Sequence, residues 1–396
     1  MVYKNSTEIA QLSGMPIYMT DVLEACLKGK LNLFLQGDTG SGKTQLAADA
    51  MSYFPDKNVF ILGRNDMDVK ELFQQINLGK LNSAVSSQEL KELTDKINYH
   101  LIVVDELPNC VSAVRGQLFN IFDGYVELNG KKYDIGNSYS VGIATGNIGQ
   151  KFTESSNELG RALKDRMHVI MDVDYFKPKP SDTYEILESN QNPRVEFEDG
   201  SDKSSTIIKA SEELSRKEIP FEKLIIANYL LHGLDYCTID GTPTTKTRLK
   251  EAWPNVISNH GQGSDESLIL PVSIRAAKSI IKLSQALDEI ALSKGAKSVD
   301  YFESMMLAYK LASAYSGVLN DASVQVNHQN DKYAAMDAVI SATRTQFEQQ
   351  VENINAGVEM VNSGSLDERI LNKFGGRWAF MRDTLEGLIK NENQTN

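Results

Sequence analysis

Cysteine is scarce in this chain: Cys26, Cys110 and Cys237 are the only three in 396 residues. They are too few and too far apart for a disulfide framework or a Cys-x-x-Cys redox or metal pair, so the expectation is a reduced, cytoplasmic protein. The five histidines, His100, His168, His232, His260 and His328, are scattered without metal-ligand spacing. Long apolar runs are missing too. No stretch approaches the roughly 18 apolar residues a membrane-spanning helix needs, and Met1–Gly14 lacks the apolar centre of a signal peptide. No internal repeat and no low-complexity tract occurs. Positive charge is in deficit, with 41 Lys+Arg against 53 Asp+Glu and a formal charge of −12. Such a field repels nucleic acid unless a local basic patch overrides it, so nucleic acid is not the expected partner. What remains is ordinary globular usage, 41% hydrophobic and 24% charged, with length for two or three domains.

The first 175 residues alternate short apolar runs with amphipathic stretches, the pattern of an α/β domain with a mostly parallel sheet. Strands are predicted at Leu31–Gln36, Asn58–Leu62, Leu101–Val104, Tyr139–Thr145 and His168–Val173, with helices at Lys43–Ser52 and Ala113–Phe122. Lys177–Asp182 (KPKPSD) is predicted to be a connector, Asn190–Ser205 a loop and Ser258–Glu266 a polar stretch. Beyond the connector the chain is mainly helical. Val272, Ala276, Ile280, Leu283, Leu287 and Ile290 recur at helical spacing until Lys294-Gly295, a second helix spans Val299–Gly317, and a stripe runs from Met336 through Val339, Thr343, Phe347 and Val351 to Ile354. The expected domains are an α/β nucleotide-binding domain at 1–176, an α-helical lid at 177–320 with Asp240–Glu266 as an insertion, and a helical C-terminal extension at 321–396.

Gly37-Asp38-Thr39-Gly40-Ser41-Gly42-Lys43-Thr44 fits the phosphate-loop pattern G-x-x-x-x-G-K-[ST], with a strand running into it and a helix, opening at Thr44-Gln45, leaving it. Glycines let main-chain amides approach phosphate oxygens, and the following helix aims its positive end at the same anion. Lys43 is expected to reach the β- and γ-phosphates and the Thr44 hydroxyl to coordinate Mg²⁺. Some sixty residues on, His100-Leu-Ile-Val-Val-Asp105-Glu106 is an apolar strand ending in two carboxylates. Asp105 is expected to hold Mg²⁺ and Glu106 to polarise the attacking water. The same pair can also be read as solvated acids at a strand end.

With loop and acids in this order, the chain resembles AAA+ ATPases of the MoxR-like and dynein- and midasin-related group over about residues 15–320. Further segments carry the likeness. Ala144-Thr145-Gly146-Asn147 is similar to the sensor-1 segment, which gives Asn147 the polar contact to the γ-phosphate. Phe122–Ile135 resembles the family's hairpin before sensor 1, turning at Asn129-Gly130, which would bring Lys131, Lys132 or Tyr133 near a central channel. Leu159–Arg166 is similar to the arginine-finger segment. It makes Arg166 the finger, with Arg161 in reserve, although Met167 stands where the family has an aromatic. Ser273-Ile274-Arg275 resembles sensor 2. Three departures leave the subfamily open: a loop nearer the dynein and midasin style, no Asn-Arg after Glu106, and the long lid.

The resemblance implies a P-loop fold, a three-layer parallel sheet core followed by helical domains, in a homo-oligomeric and in all expectation hexameric ring. It implies ATP and Mg²⁺ as cofactors, ATP held between sheet domain and lid, and remodelling or chaperone-like action on a protein, with a von Willebrand factor A-domain protein as a candidate partner. Two other readings stay open: a nucleic-acid motor, and a nucleotide-gated scaffold with little turnover. The small basic cluster of Lys246, Arg248 and Lys250 beside Trp253 is expected to lie on a solvated face, and the Met336–Ile354 stripe to pack on its own domain.

Overall fold

A computed structural model describes residues 7–64, 72–77, 91–147, 161–188, 202–257 and 265–395. Most of the loop predicted at Asn190–Ser205 and of the polar stretch at Ser258–Glu266 lies outside these residues. The chain divides into two compact units, Met1–Lys217 with Lys282–Asp300, and Glu218–Ile281 with Tyr301–Asn396.

The first unit opens with a hairpin, β1 (Glu8–Leu12) and β2 (Met15–Tyr18), followed by α1 (Met19–Lys28). Then come β3 (Leu33–Gln36), α2 (Lys43–Met51), β4 (Asn58–Leu62), the hairpin β5 (Gln74–Ile76) and β6 (Lys91–Leu93), and β7 (Leu101–Asp105). Helix α3 (Ser112–Phe122) leads into the hairpin β8 (Tyr125–Leu128) and β9 (Lys131–Asp134), which turns at Asn129-Gly130 with both residues at positive φ. After it follow β10 (Val141–Gly146), α4 (Arg161–Lys164), β11 (Val169–Asp172), α5 (Pro180–Glu188) and α6 (Ser204–Arg216). Five of these strands form one parallel sheet in the order β11-β3-β10-β7-β4. Every residue of β3, β7 and β10 is buried, as expected for central strands covered on both faces.

The order matters because β3, β10 and β7 are neighbours. Gly146 pairs with Gln36 and Ala144 with Val104, so the carboxyl ends of three strands far apart in sequence lie side by side. In open parallel sheets that edge is where ligands bind.

The second unit begins with α7 (Phe221–Asn228) and the hairpin β12 (Tyr236–Ile239) and β13 (Thr242–Thr245). It continues with α8 (Lys246–Leu249), α9 (Asp265–Leu268) and the first turns of α10 (Ile274–Ser293), whose later residues belong to the first unit. Helices α11 (Tyr301–Ser313), α12 (Asp321–His328), α13 (Lys332–Asn362), α14 (Glu368–Leu371) and α15 (Phe380–Thr395) complete it. Its core gathers aromatic rings: the Phe347 ring centre lies 5.2 Å from that of Tyr229, 5.4 Å from Phe302 and 4.8 Å from Trp378, all three edge to face.

Two expectations are corrected. The connector read at Lys177–Asp182 is helical from Pro180, because proline suits the first turn of a helix, where its missing N–H has no acceptor to serve. Lys246 does not sit on a solvated face. It is 1% exposed and donates to the carbonyls of Asp265 (3.2 Å) and Ile269 (2.7 Å), and burial lowers its pKa to about 8 against the pull of Asp265. Beside it Arg377 grips Asp265 with two nitrogens, one bond measuring 2.7 Å, and reaches Glu266 at 3.2 Å.

Candidate active site

The loop from Gly37 to Gly42 leaves the carboxyl end of β3 and closes on α2. Gly42 is the N-cap of that helix with φ +91°, a left-handed conformation in which a side chain would be strained. The first-turn amides of α2, Lys43 and Thr44 among them, have no acceptor inside the helix, which leaves a ring of N–H groups with the helix dipole behind it. Lys43 is 5% exposed and its ammonium folds across the loop, donating to the carbonyls of Gly37 (3.0 Å) and Asp38 (2.6 Å). Burial pushes its pKa down, opposed by the carboxylates of Glu106, Asp174, Asp105 and Asp38. Gln45, one position on, donates to Asp49 at 3.0 Å and lines the neighbouring cavity.

Opposite the loop, Asp105 ends β7. Its Oδ1 accepts from the Thr44 hydroxyl at 3.0 Å and from the Thr145 hydroxyl at 2.5 Å. Thr145 is fully buried near the end of β10 and also accepts from the main-chain N–H of Glu106 at 3.1 Å. One hydroxyl therefore ties both acids to the middle of the sheet. Glu106 itself has φ +55° and ψ +44°, an unusual conformation for a side-chain-bearing residue. The chain of β4 presses against it: a Cβ on Gly63 would come within 2.5 Å of the Glu106 carbonyl oxygen. Strain held this way at a strand end is typical of functional positions.

Asn147 follows β10 and donates to the Thr39 hydroxyl at 3.4 Å, bridging to the loop. Its Oδ1 is buried without a hydrogen-bond partner, an acceptor that a ligand or water at this edge would satisfy. The donor set fits Mg²⁺: a hydroxyl and a carboxylate are hard oxygen ligands, few enough for an ion that keeps its waters and shares phosphate oxygens. Among the described residues no cluster of three or more His, Cys, Asp or Glu side chains offers a self-sufficient metal cage.

Sequence reasoning missed three features. Thr145 lay in a segment read for Asn147 alone. Asp174, just past β11, accepts from the Asp38 amide at 2.6 Å and braces the start of the loop. A cavity of about 310 Å³ beside the loop is lined by Gly42, Leu46, Val173, Phe176, Pro178 and Ile186 among others, a mostly apolar slot assembled from α2, the end of β11 and α5.

The two arginines of the 159–166 segment fare differently. Arg161 opens α4, and its side chain lies outside the described residues. Arg166 precedes β11 at the amino edge of the sheet, whereas Lys43 follows the carboxyl edge; a four-residue strand separates these edges by roughly 13 Å. Arg166 donates from Nε to Asp123 at 3.0 Å. Arg275 lies exposed on the first turn of α10, in the second unit.

The sequence model of the AAA domain, dynein-related subfamily, matches residues 32–167, the span that holds the loop, the acids, Thr145, Asn147 and Arg166. The chain carries an AAA domain of the dynein-related subfamily. No curated protein matches the sequence. Among solved structures, a candidate ATPase from Cytophaga hutchinsonii superposes with a TM-score of 0.55 at 15% identity, over 81% of this chain and 88% of its own. The full-length MCM homolog from Methanopyrus kandleri gives a TM-score of 0.45 at 15% identity, over 75% of this chain and 55% of its own. At such identity the first likeness concerns the fold alone, which in this chain is a five-stranded parallel sheet carrying the phosphate loop, followed by a helical region. Among the described residues no helix is long and apolar enough to cross a membrane.

Proposed function

We propose that the AAA domain binds and hydrolyses ATP as one subunit of a homo-oligomeric motor, in the expected ring a hexamer, that remodels a protein partner. The observation that carries this reading is the Thr44–Asp105–Thr145–Glu106 chain of hydrogen bonds facing the phosphate loop. The loop amides and Lys43 bind the β- and γ-phosphates, and the slot against Leu46, Phe176 and Ile186 takes the base. Thr44 and Asp105 would hold Mg²⁺, which when bound neutralises phosphate charge. Glu106 accepts a proton from water as its oxygen bonds to the γ-phosphorus. The bond to the β–γ bridging oxygen breaks, and ADP leaves with that electron pair. Asn147 orients the water.

Arg166 acts on a neighbouring subunit. Its place at the edge of the sheet away from its own loop supports a role in trans, where its charge meets that developing on the transferred phosphoryl group. The sensor-2 role of Arg275, the remodelling activity and the von Willebrand factor A-domain partner rest on the resemblance. The net charge of −12 disfavours a nucleic-acid track.

Glu106→Gln tests the reading. It should bind Mg·ATP as tightly as wild type, release phosphate at least about a hundredfold more slowly, and gather in a higher-mass species when sized by light scattering with ATP. Unchanged phosphate release would favour a scaffold that merely binds nucleotide.

A further inference from the structure

The root of the β8–β9 hairpin and the turn before β11 meet at Arg166. Its Nε donates to Asp123 Oδ2 at 3.0 Å, and its guanidinium carbon stands 4.7 Å from the centre of the Phe119 ring. Phe119 lies in the last turn of α3 and Asp123 is the C-cap of that helix, so carboxylate and ring come from one rigid helix end. The main chain is fixed as well. Asn32 is 3% exposed; its amide nitrogen donates to the Arg166 carbonyl at 3.0 Å and to the Phe122 carbonyl at 2.7 Å, while its oxygen accepts from the Gly142 amide at 2.8 Å. One buried amide thus locks the backbone beside Asp123 to the backbone of Arg166, and the carboxylate and ring hold the side chain.

An arginine has four rotatable bonds and loses much freedom when placed. A guanidinium gripped at Nε and lying on a ring has made that loss before any phosphate arrives, which is the preorganisation electrostatic catalysis needs. We propose that Asp123 is a positioning residue, setting Arg166 for the triphosphate of the neighbouring subunit; this rests on the trans role given to Arg166 above. Gly124, at φ +84°, follows at once, and its carbonyl accepts from Ile135 at the far end of the hairpin at 2.9 Å. Asp123 therefore joins α3 to the hairpin, and a hairpin displaced by a bound partner moves the grip on Arg166 with it.

The test is steady-state hydrolysis of Mg·ATP by the assembled protein. Asp123→Ala should lower kcat about ten- to hundredfold, the scale of an ångström-sized misplacement, with KM unchanged because Asp123 is remote from its own loop. Asp123→Glu should recover part of the rate. In an Arg166→Ala background Asp123→Ala should cost nothing more. Wild-type kcat in Asp123→Ala, or the same loss with Arg166 already gone, overturns the proposal while the trans role stands. Arg166→Ala at the wild-type rate overturns that role and the proposal together. Should the alanine variant not fold, Asp123→Ser carries the same expectation.

Discussion

Thr145 is the residue whose single hydroxyl has most leverage in the site. Its hydroxyl donates to Asp105 and accepts from the Glu106 amide, so the carboxylate read as a metal ligand and the backbone that carries the water-activating acid share one fully buried anchor. Thr145→Val keeps the shape and removes both bonds. Turnover should fall about ten- to hundredfold while ATP affinity stays within about threefold, and Thr145→Ser should restore most of the rate. A valine variant as fast as wild type would show that the acids hold their places unaided. The loop itself was legible because its eight residues are contiguous and each has a separate reason to be there. Thr145 and Asp174 were not, since their partners lie 40 and 136 residues away and become neighbours only through the strand order.

Apolar strands were equally plain. The runs at Asn58–Leu62 and Leu101–Asp105 are apolar in composition, and their ends fall within a residue of those predicted; Leu101–Asp105 is buried throughout, whereas Phe60 and Leu62 of the edge strand β4 are exposed. The hairpins β1–β2, β5–β6 and β12–β13 escaped notice because their strands are only three to five residues long, too short for a hydrophobic alternation to stand out. The stripe on α13 holds for its first half: Met336, Val339 and Thr343 are fully buried, whereas Val351 is 51% exposed. Charge pairing across elements was also invisible. Arg377, in the turn before α15, holds Asp265 and Glu266 of α9. Burial alone would raise the Asp265 pKa, yet the hydrogen bonds and charge of Arg377 hold it below the ordinary aspartate value. A depressed carboxylate contributes stability that is complete above about pH 4 and is lost as pH falls through the lower folded value. Arg377→Met should therefore cost about 3–5 kcal/mol at pH 7 in urea unfolding, since it strands a buried carboxylate. Against wild type the deficit should shrink as pH falls below about 4, where the unfolded chain and the folded variant, which lacks Arg377, take up the Asp265 proton before folded wild type does. A deficit independent of pH would assign the loss to packing instead.

For the molecule as a whole, the reading joins a nucleotide site on one edge of the sheet to an arginine on the other, an arrangement complete only when subunits associate. It depends first on the loop gripping a triphosphate. Calorimetric titration of Mg·ATP, with Mg·GTP in parallel, into wild type and Lys43→Ala tests that directly. Saturable binding to wild type is predicted, with affinity reduced at least about a hundredfold in Lys43→Ala, where a buried ammonium is removed from the phosphate site. Absence of binding of either nucleotide to wild type, or equal binding to both proteins, would contradict it.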